Sequence, residues 1–400
     1  MSKWQLLKGK KQSTIFLQLV FCPLTDSLIK PAARICKSKE KEKERKSNII
    51  NLGSHLNLKF DFSLQFRMAA QVPAPQETDG SPEDPPVKSP RVKLNDGRHI
   101  AYSERGVTKA KSNCKIIIVH GFGSSKGMNF QVPQELIEEL GLYFLLYDRA
   151  GYGESDPNPR RSVKSEAFDI QELADQLQIG TKFYVIGVSM GSYPIWSCLK
   201  YIPERLAGVA MVVPVINYRW PSFPVSLTRE DYRRSLVKLL YWIAKHTPRL
   251  LQWWVTQKWF PSPSVMEKKP GFFNKRDIEA LMKTEGFPML TKERLRERCV
   301  FDTLRNDFLA CYGDWDFDPM ELSNPNESCV HIWQGHEDKI VPFELQRYIS
   351  RKLPWIQYHE VSDGGHFLVH YNGLCEAIVR AMLLGEEHHL YRPDADKIVS

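Results

Sequence analysis

A serine set between two glycines, in the run Val185-Ile186-Gly187-Val188-Ser189-Met190-Gly191-Ser192, is the residue best placed to do chemistry in this 400-residue chain. The β-branched residues before it read as a strand, and a strand that turns straight into a helix forces its corner residue into a strained conformation. Only very small neighbours leave room for the chain to double back, the role expected of Gly187 and Gly191. Such a corner lifts the Ser189 hydroxyl clear of the sheet and leaves the NH of Met190 at the start of the next helix, facing any developing negative charge. Alone, the pattern equally fits a tight turn with no chemistry, because a serine hydroxyl is a poor nucleophile at neutral pH. It needs a base beside it, and the base needs a group that fixes its tautomer and stabilises its positive charge. Asp338, after Gly335-His336-Glu337, and His366, after Gly364-Gly365, supply those types in the order serine, acid, histidine. His336 and His370 are rival bases, though neither follows a glycine pair at a strand end. Glu337 and the run Asp314, Asp316, Asp318 are rival acids.

Bringing these residues together takes a sheet that collects them at one edge. Residues 91–94 and 99–102 flank Asn95-Asp96-Gly97, a strong hairpin signal. Residues 114–119 and 142–147 are apolar runs too short for helices and read as strands buried on both faces. Helical spacing over 133–140 and 165–177 alternates with these strands and leads to the one ending at Ser189. Residues 206–215, 329–333 and 357–361 read as further strands, followed by a closing helix over 368–384. Such alternation implies a mostly parallel sheet with helices on both faces, and such sheets bind ligands at the carboxyl ends of their strands. Between 217 and 325 the alternation stops. Helices are expected there over 229–246, 248–259, 275–283 and 292–312, the last capped by Thr291. Six of the ten tryptophans (Trp220, Trp242, Trp253, Trp254, Trp259, Trp315) fall in this stretch. A helical cap over the sheet edge is expected, most of these rings packing it together and one or two lining an apolar pocket.

These motifs, with His120-Gly121-Phe122-Gly123, resemble the α/β-hydrolase superfamily over Arg91 to about Gly385. The loop Asp148-Arg149-Ala150-Gly151-Tyr152-Gly153-Glu154-Ser155-Asp156 and the Pro-rich lead-in are most similar to plant members of unassigned substrate. Many superfamily members carry glycine where Ala150 stands, a difference that touches nothing catalytic. The resemblance implies the α/β-hydrolase fold, with a core over 91–216 and 326–400 and the cap over 217–325. It implies Ser189 as nucleophile, His366 as general base and then acid, and Asp338 as its orienter. The NH groups of Phe122 and Met190 would form the oxyanion hole, placed by Gly121 and Gly123. His120 reads as a structural hydrogen-bonding residue. A serine at the corner argues for acyl transfer, since the epoxide hydrolases and haloalkane dehalogenases of the superfamily use an aspartate there. The expected activity is hydrolysis of an apolar small-molecule or acyl ester. A slow ligand-perception protein and a non-hydrolytic lyase are the alternatives, because fold does not assign function.

Composition narrows the partners. Residues 1–67 hold 14 Lys/Arg and 5 Asp/Glu, whereas residues 68–400 hold 41 and 42. A neutral body argues against nucleic acid, which needs a basic folded surface. A membrane surface is open but without support in the sequence, and oligomeric state is not legible. The basic segment 1–67 is expected to be unstructured, either a targeting segment or a start preceding the native Met68, and 68–90 a Pro-rich linker. Eight scattered cysteines without a C-x-x-C pair imply reduced, mostly buried thiols and a cytoplasmic setting, with no zinc site. No phosphate-binding or dinucleotide fingerprint occurs, so no cofactor is expected.

Overall fold

A computed structural model describes residues 89–257, 273–283, 288–324 and 329–386. The segment 1–67, the linker up to residue 88, Trp259, Cys22 and Cys36 lie outside the described residues.

Eight strands form one sheet: β1 (Arg91–Lys93), β2 (His99–Gly106), β3 (Cys114–Val119), β4 (Leu142–Tyr147), β5 (Phe183–Val188), β6 (Leu206–Val212), β7 (Cys329–Gly335) and β8 (Ile356–Val361). Their order is β1-β2-β4-β3-β5-β6-β7-β8. The first two strands make the expected hairpin, with Gly97 at φ 92° in its turn. β2 runs on past the hairpin to pair antiparallel with β4, and the pairs from β4 through β3 to β8 are parallel.

The apolar runs are buried on both faces because alternate residues feed two cores. Ile117 and Val119 enter one core with helices α2 (Val163–Gln176) and α3 (Tyr193–Tyr201), whereas Ile116 and Ile118 enter the other. That second core is closed by α1 (Gln134–Leu140) and the C-terminal helix Leu374–Leu384. The start of α2 is set by a capping box in which Ser162 and Ser165 each accept the other's backbone NH. β6 ends three residues earlier than expected. Val213, at φ 45°, turns the chain out of the sheet, and its NH donates to the Trp333 carbonyl at 2.7 Å.

Between β6 and β7 the chain forms an insertion that includes α4 (Tyr232–His246), α5 (Pro248–Val255), α6 (Lys275–Leu281), α7 (Lys292–Arg296) and α8 (Arg298–Tyr312). The single helix expected over 292–312 is broken at Glu297, whose extended ψ of 122° re-aims α8 so that Val300, Phe301, Leu304 and Phe308 face inward. Thr291 caps α7 as expected, accepting the Arg294 NH. After β7 come α9 (Phe343–Lys352), β8 and α10 (Leu374–Leu384). The last helix starts six residues later than expected. Leu368–His370 is one separate 3-10 turn, and Gly373 at φ 77° precedes the helix. Among the described cysteines Cys198, Cys311 and Cys375 are buried, Cys114 and Cys329 half-buried and Cys299 exposed. No helix among the described residues is long and apolar enough to cross a membrane.

Candidate active site

The turn after β5 is as tight as its glycines suggest. Ser189 sits at φ 53°, a left-handed conformation that costs a non-glycine residue free energy and persists only where the surroundings enforce it. A β-carbon at Gly187 would run into the Gly191 carbonyl and lie 2.6 Å from Ile195 Cγ1. One at Gly191 would strike the Val119 carbonyl and come within 2.7 Å of the His120 carbonyl. The corner is therefore wedged between β3 and α3, and Ser192 Oγ donates back to the Gly187 carbonyl at 3.0 Å to close it.

Three side chains distant in sequence meet at this corner. Ser189 Oγ lies 2.9 Å from His366 Nε2, and His366 Nδ1 lies 2.8 Å from Asp338 Oδ2. With the carboxylate on Nδ1, that nitrogen carries the proton and donates, which leaves Nε2 as the acceptor facing the serine. Asp338 is itself held. Its Oδ1 accepts the NH groups of Ile340 and Val341 at 2.8 and 3.0 Å, and its Oδ2 also accepts from Gln334 Nε2 at 3.2 Å. The rivals are elsewhere. His336 Nδ1 pairs with Glu360, and half-buried His370 packs against Phe367. Glu337 is exposed, Asp314 pairs with Arg219, Asp316 bonds Tyr201, and Asp318 accepts the NH groups of Ser222 and Met320.

A second carboxylate, not anticipated from the sequence, reaches the same histidine from the insertion. Asp277, on α6, accepts the backbone NH of His366 at 2.8 Å through Oδ2 and that of Phe367 at 2.9 Å through Oδ1, where Tyr371 OH also donates. Gly365 is required beside it, since a β-carbon there would overlap the Asp277 carboxyl group. The one local signal was Asn274, whose side chain caps α6 by accepting the Asp277 NH. Nothing in that spacing points to a partner 89 residues away. Burial raises the Asp277 pKa and Asp338 adds to the rise, against the pull of its three donors. Burial alone would lower the pKa of His366, but the charge and hydrogen bond of Asp338, with the charge of Asp277, leave it raised above 6.5.

The loop after β3 lies on the serine. A β-carbon at Gly121 would sit 3.3 Å from Ser189 Cβ and 3.9 Å from its Oγ, so the backbone leading into Phe122 closes directly over the hydroxyl. Gly123 needs its φ of 72°, and Leu290 of the insertion packs against it. His120 is a strut of this loop. Its Nδ1 bonds the Gly121 carbonyl at 2.8 Å and its Nε2 accepts the Arg149 NH at 3.1 Å. Burial first, then the Arg149 charge, pushes its pKa well below 6.5, so it stays neutral.

Arg149 ties the loop to a fully buried ion cluster. Its guanidinium bonds Asp307 on α8 at 2.6 and 2.7 Å, and Asp307 also accepts from Tyr152 OH and Tyr193 OH at 2.6 and 2.7 Å. Arg161 lies 3.1 Å from the same carboxylate. Burial opposes the charge on Asp307, but the two arginines hold its pKa below the carboxylate range. Sequence spacing did not signal this cluster either.

Beside Phe122 lies a narrow apolar recess, lined by Leu251, Leu290, Leu295, Phe301 and Phe308 of the insertion. None of the described tryptophans lines it. Trp220 and Trp315 pack against each other at 5.3 Å and against Phe223 and Phe317, while Trp242 and Trp253 are exposed. Rings on the outer face of a helix cannot reach a pocket on its inner one.

A family model described as the alpha/beta hydrolase family matches residues 116–376. No curated protein matches the sequence. Among solved structures, an esterase (EaEST) from Exiguobacterium antarcticum is 18% identical, with 74% of this chain and 99% of that one covered and a TM-score of 0.50. MGS-M2, an alpha/beta hydrolase enzyme from a Medee basin deep-sea metagenome library, is 15% identical over 74% of this chain and 98% of its own, also at 0.50. At these identities the likeness is one of fold.

Proposed function

Since the chain belongs to the alpha/beta hydrolase family, we propose that it is a serine hydrolase that cleaves carboxylic esters of apolar substrates through an acyl-enzyme. The continuous line of hydrogen bonds from Ser189 through His366 to Asp338 carries this proposal. In the first step His366 Nε2 takes the hydroxyl proton as Ser189 Oγ attacks the ester carbonyl. The resulting imidazolium is stabilised by Asp338 and then protonates the leaving alcohol. In the second step His366 takes a proton from water, which attacks the acyl-enzyme, and returns it to Ser189. The NH groups of Phe122 and Met190 receive the oxyanion, a pair of donors each worth about 3 kcal/mol to the transition state. The insertion acts as the cap, and the Leu- and Phe-lined recess beside Phe122 favours an apolar group on the substrate. The likeness of the 148–156 loop to plant members of unassigned substrate belongs to the same proposal, as does a cytoplasmic setting.

Labelling with a fluorophosphonate, followed by peptide mapping, tests the nucleophile. A label confined to Ser189, with multiple turnover of short p-nitrophenyl esters, is the expected result. A stable adduct on His366 with negligible turnover would favour ligand perception instead.

Asp277 is proposed as a positioning residue for the base, and pH reports it. Only neutral His366 accepts the serine proton, so kcat/KM is expected to rise with pH through a pKa above 6.5. Asp277→Asn removes one of the two charges that raise this pKa and is expected to move the acidic limb to lower pH. Loss of hydrogen bonds to a charged group should cost kcat about tenfold or more. A rate loss without movement of the limb would mean that Asp277 acts by packing alone.

A further inference from the structure

Helices α4 and α5 bury one side and leave the other open. Leu236, Val237, Leu240, Ala244, Leu251 and Val255 face the interior. Opposite them Leu239, Trp242, Leu250 and Trp253 are exposed, the two indoles at 56% and 54%. Lys238, Lys245 and Arg249 are exposed among these rings. Residues 232–257 hold five Lys/Arg and not one Asp or Glu, in a body where residues 68–400 hold 41 and 42. Among the described residues no ion pair takes up Lys238, Lys245 or Arg249, although Arg233, nearer the interior, pairs with Asp231.

We propose that this face of the insertion docks on an anionic lipid surface. Indole and leucine side chains standing among basic groups, with no acid between them, are the chemistry of helices that lie in a membrane interface. There the rings enter the headgroup region and each nearby Lys or Arg gains from the negative surface potential. The charge argues against the other occupants. A second copy of the chain would bring an equally basic face to this one, and the cores of protein interfaces are depleted in lysine. Trp242 and Trp253 enter the headgroups, and Lys238, Lys245 and Arg249 pair with lipid anions. The proposal does not depend on the hydrolase function.

Sedimentation of the full chain with vesicles of phosphatidylcholine alone, and of equimolar phosphatidylcholine and phosphatidylserine, tests it. Binding to the anionic vesicles is expected. It should weaken about tenfold or more both in Trp242→Ser/Trp253→Ser and in Lys238→Ser/Lys245→Ser/Arg249→Ser. Turnover of a soluble ester should stay unchanged in both. Brominated acyl chains in the same vesicles should quench tryptophan emission, and less so in the double tryptophan variant. No binding to anionic vesicles overturns the proposal, and so does binding that both variants retain in full, which would assign it to basic residues such as those of segment 1–67. Self-association of the unmodified chain that the tryptophan variant abolishes would also overturn it, in favour of a second copy.

Discussion

Replacing Ser189 by alanine is expected to lower ester turnover by about five powers of ten while the protein stays folded. The magnitude follows from the division of labour at the site. Nucleophile and base act as one unit, so losing either removes nearly all of what the set contributes. Oxyanion donors and binding then leave a residual advantage of about a thousandfold over water. Folding should survive because the Ser189 hydroxyl meets His366 and holds nothing else in the turn. Gly187, Gly191 and the Ser192–Gly187 hydrogen bond keep the corner closed without it. Alanine is as strained as serine at φ 53°, so the backbone cost is unchanged. Initial rates on a p-nitrophenyl ester, beside a thermal unfolding curve, measure both halves. An active Ser189→Ala protein would refute the mechanism, and an unfolded one would locate the role of Ser189 in the fold.

Asp307→Ala is expected to cost stability rather than chemistry alone, by about 3–5 kcal/mol. Asp307 is the common acceptor for Arg149, Arg161, Tyr152 and Tyr193, all of them buried or nearly so. Deleting it leaves two guanidinium groups sharing Glu166, which lies 3.6 Å from Arg149 and 2.7 Å from Arg161. A cost of that size is a large fraction of the roughly 5–15 kcal/mol that holds a typical domain together. Urea unfolding of the variant measures it. A change below about 1 kcal/mol would mean that Glu166 alone neutralises both arginines. Because Arg149 also bonds the His120 carbonyl and ring, ester turnover should fall in any variant that remains folded.

The sequence alone determined what local pattern can encode. Apolar runs marked β3, β4, β5 and β6, since a strand buried on both faces is apolar at nearly every position. By contrast β7 and β8, which carry His331, Gln334, Gln357, His359 and Glu360, were legible from the resumed alternation of strands and helices. Gly187 and Gly191 marked the turn at Ser189, since only a missing β-carbon admits the Gly191 carbonyl beside Gly187 and the Val119 and His120 carbonyls beside Gly191. The order of Ser189, Asp338 and His366, each just after a strand, was legible for the same reason, and the folded chain brings the three within hydrogen-bonding distance. Element ends were less legible. The break at Glu297 depends on where the interior lies, whereas the late start at Leu374 follows the turn pair Asn372-Gly373, with Gly373 at φ 77°.

Only the tertiary structure decided the partners of the buried charges and the sides of the aromatic rings. Asp277 and Asp307 lie on helices whose spacing marks them as ordinary helix residues, yet each ends against groups 89 and 158 positions away. The tryptophans show the same limit from the other side, since composition counts Trp242 and Trp253 with Trp220 and Trp315 although two point to solvent and two to the core. Burial is a property of the packed whole. A carboxylate taken out of water must be met by whatever donors the fold carries to it, and no local pattern states which those are.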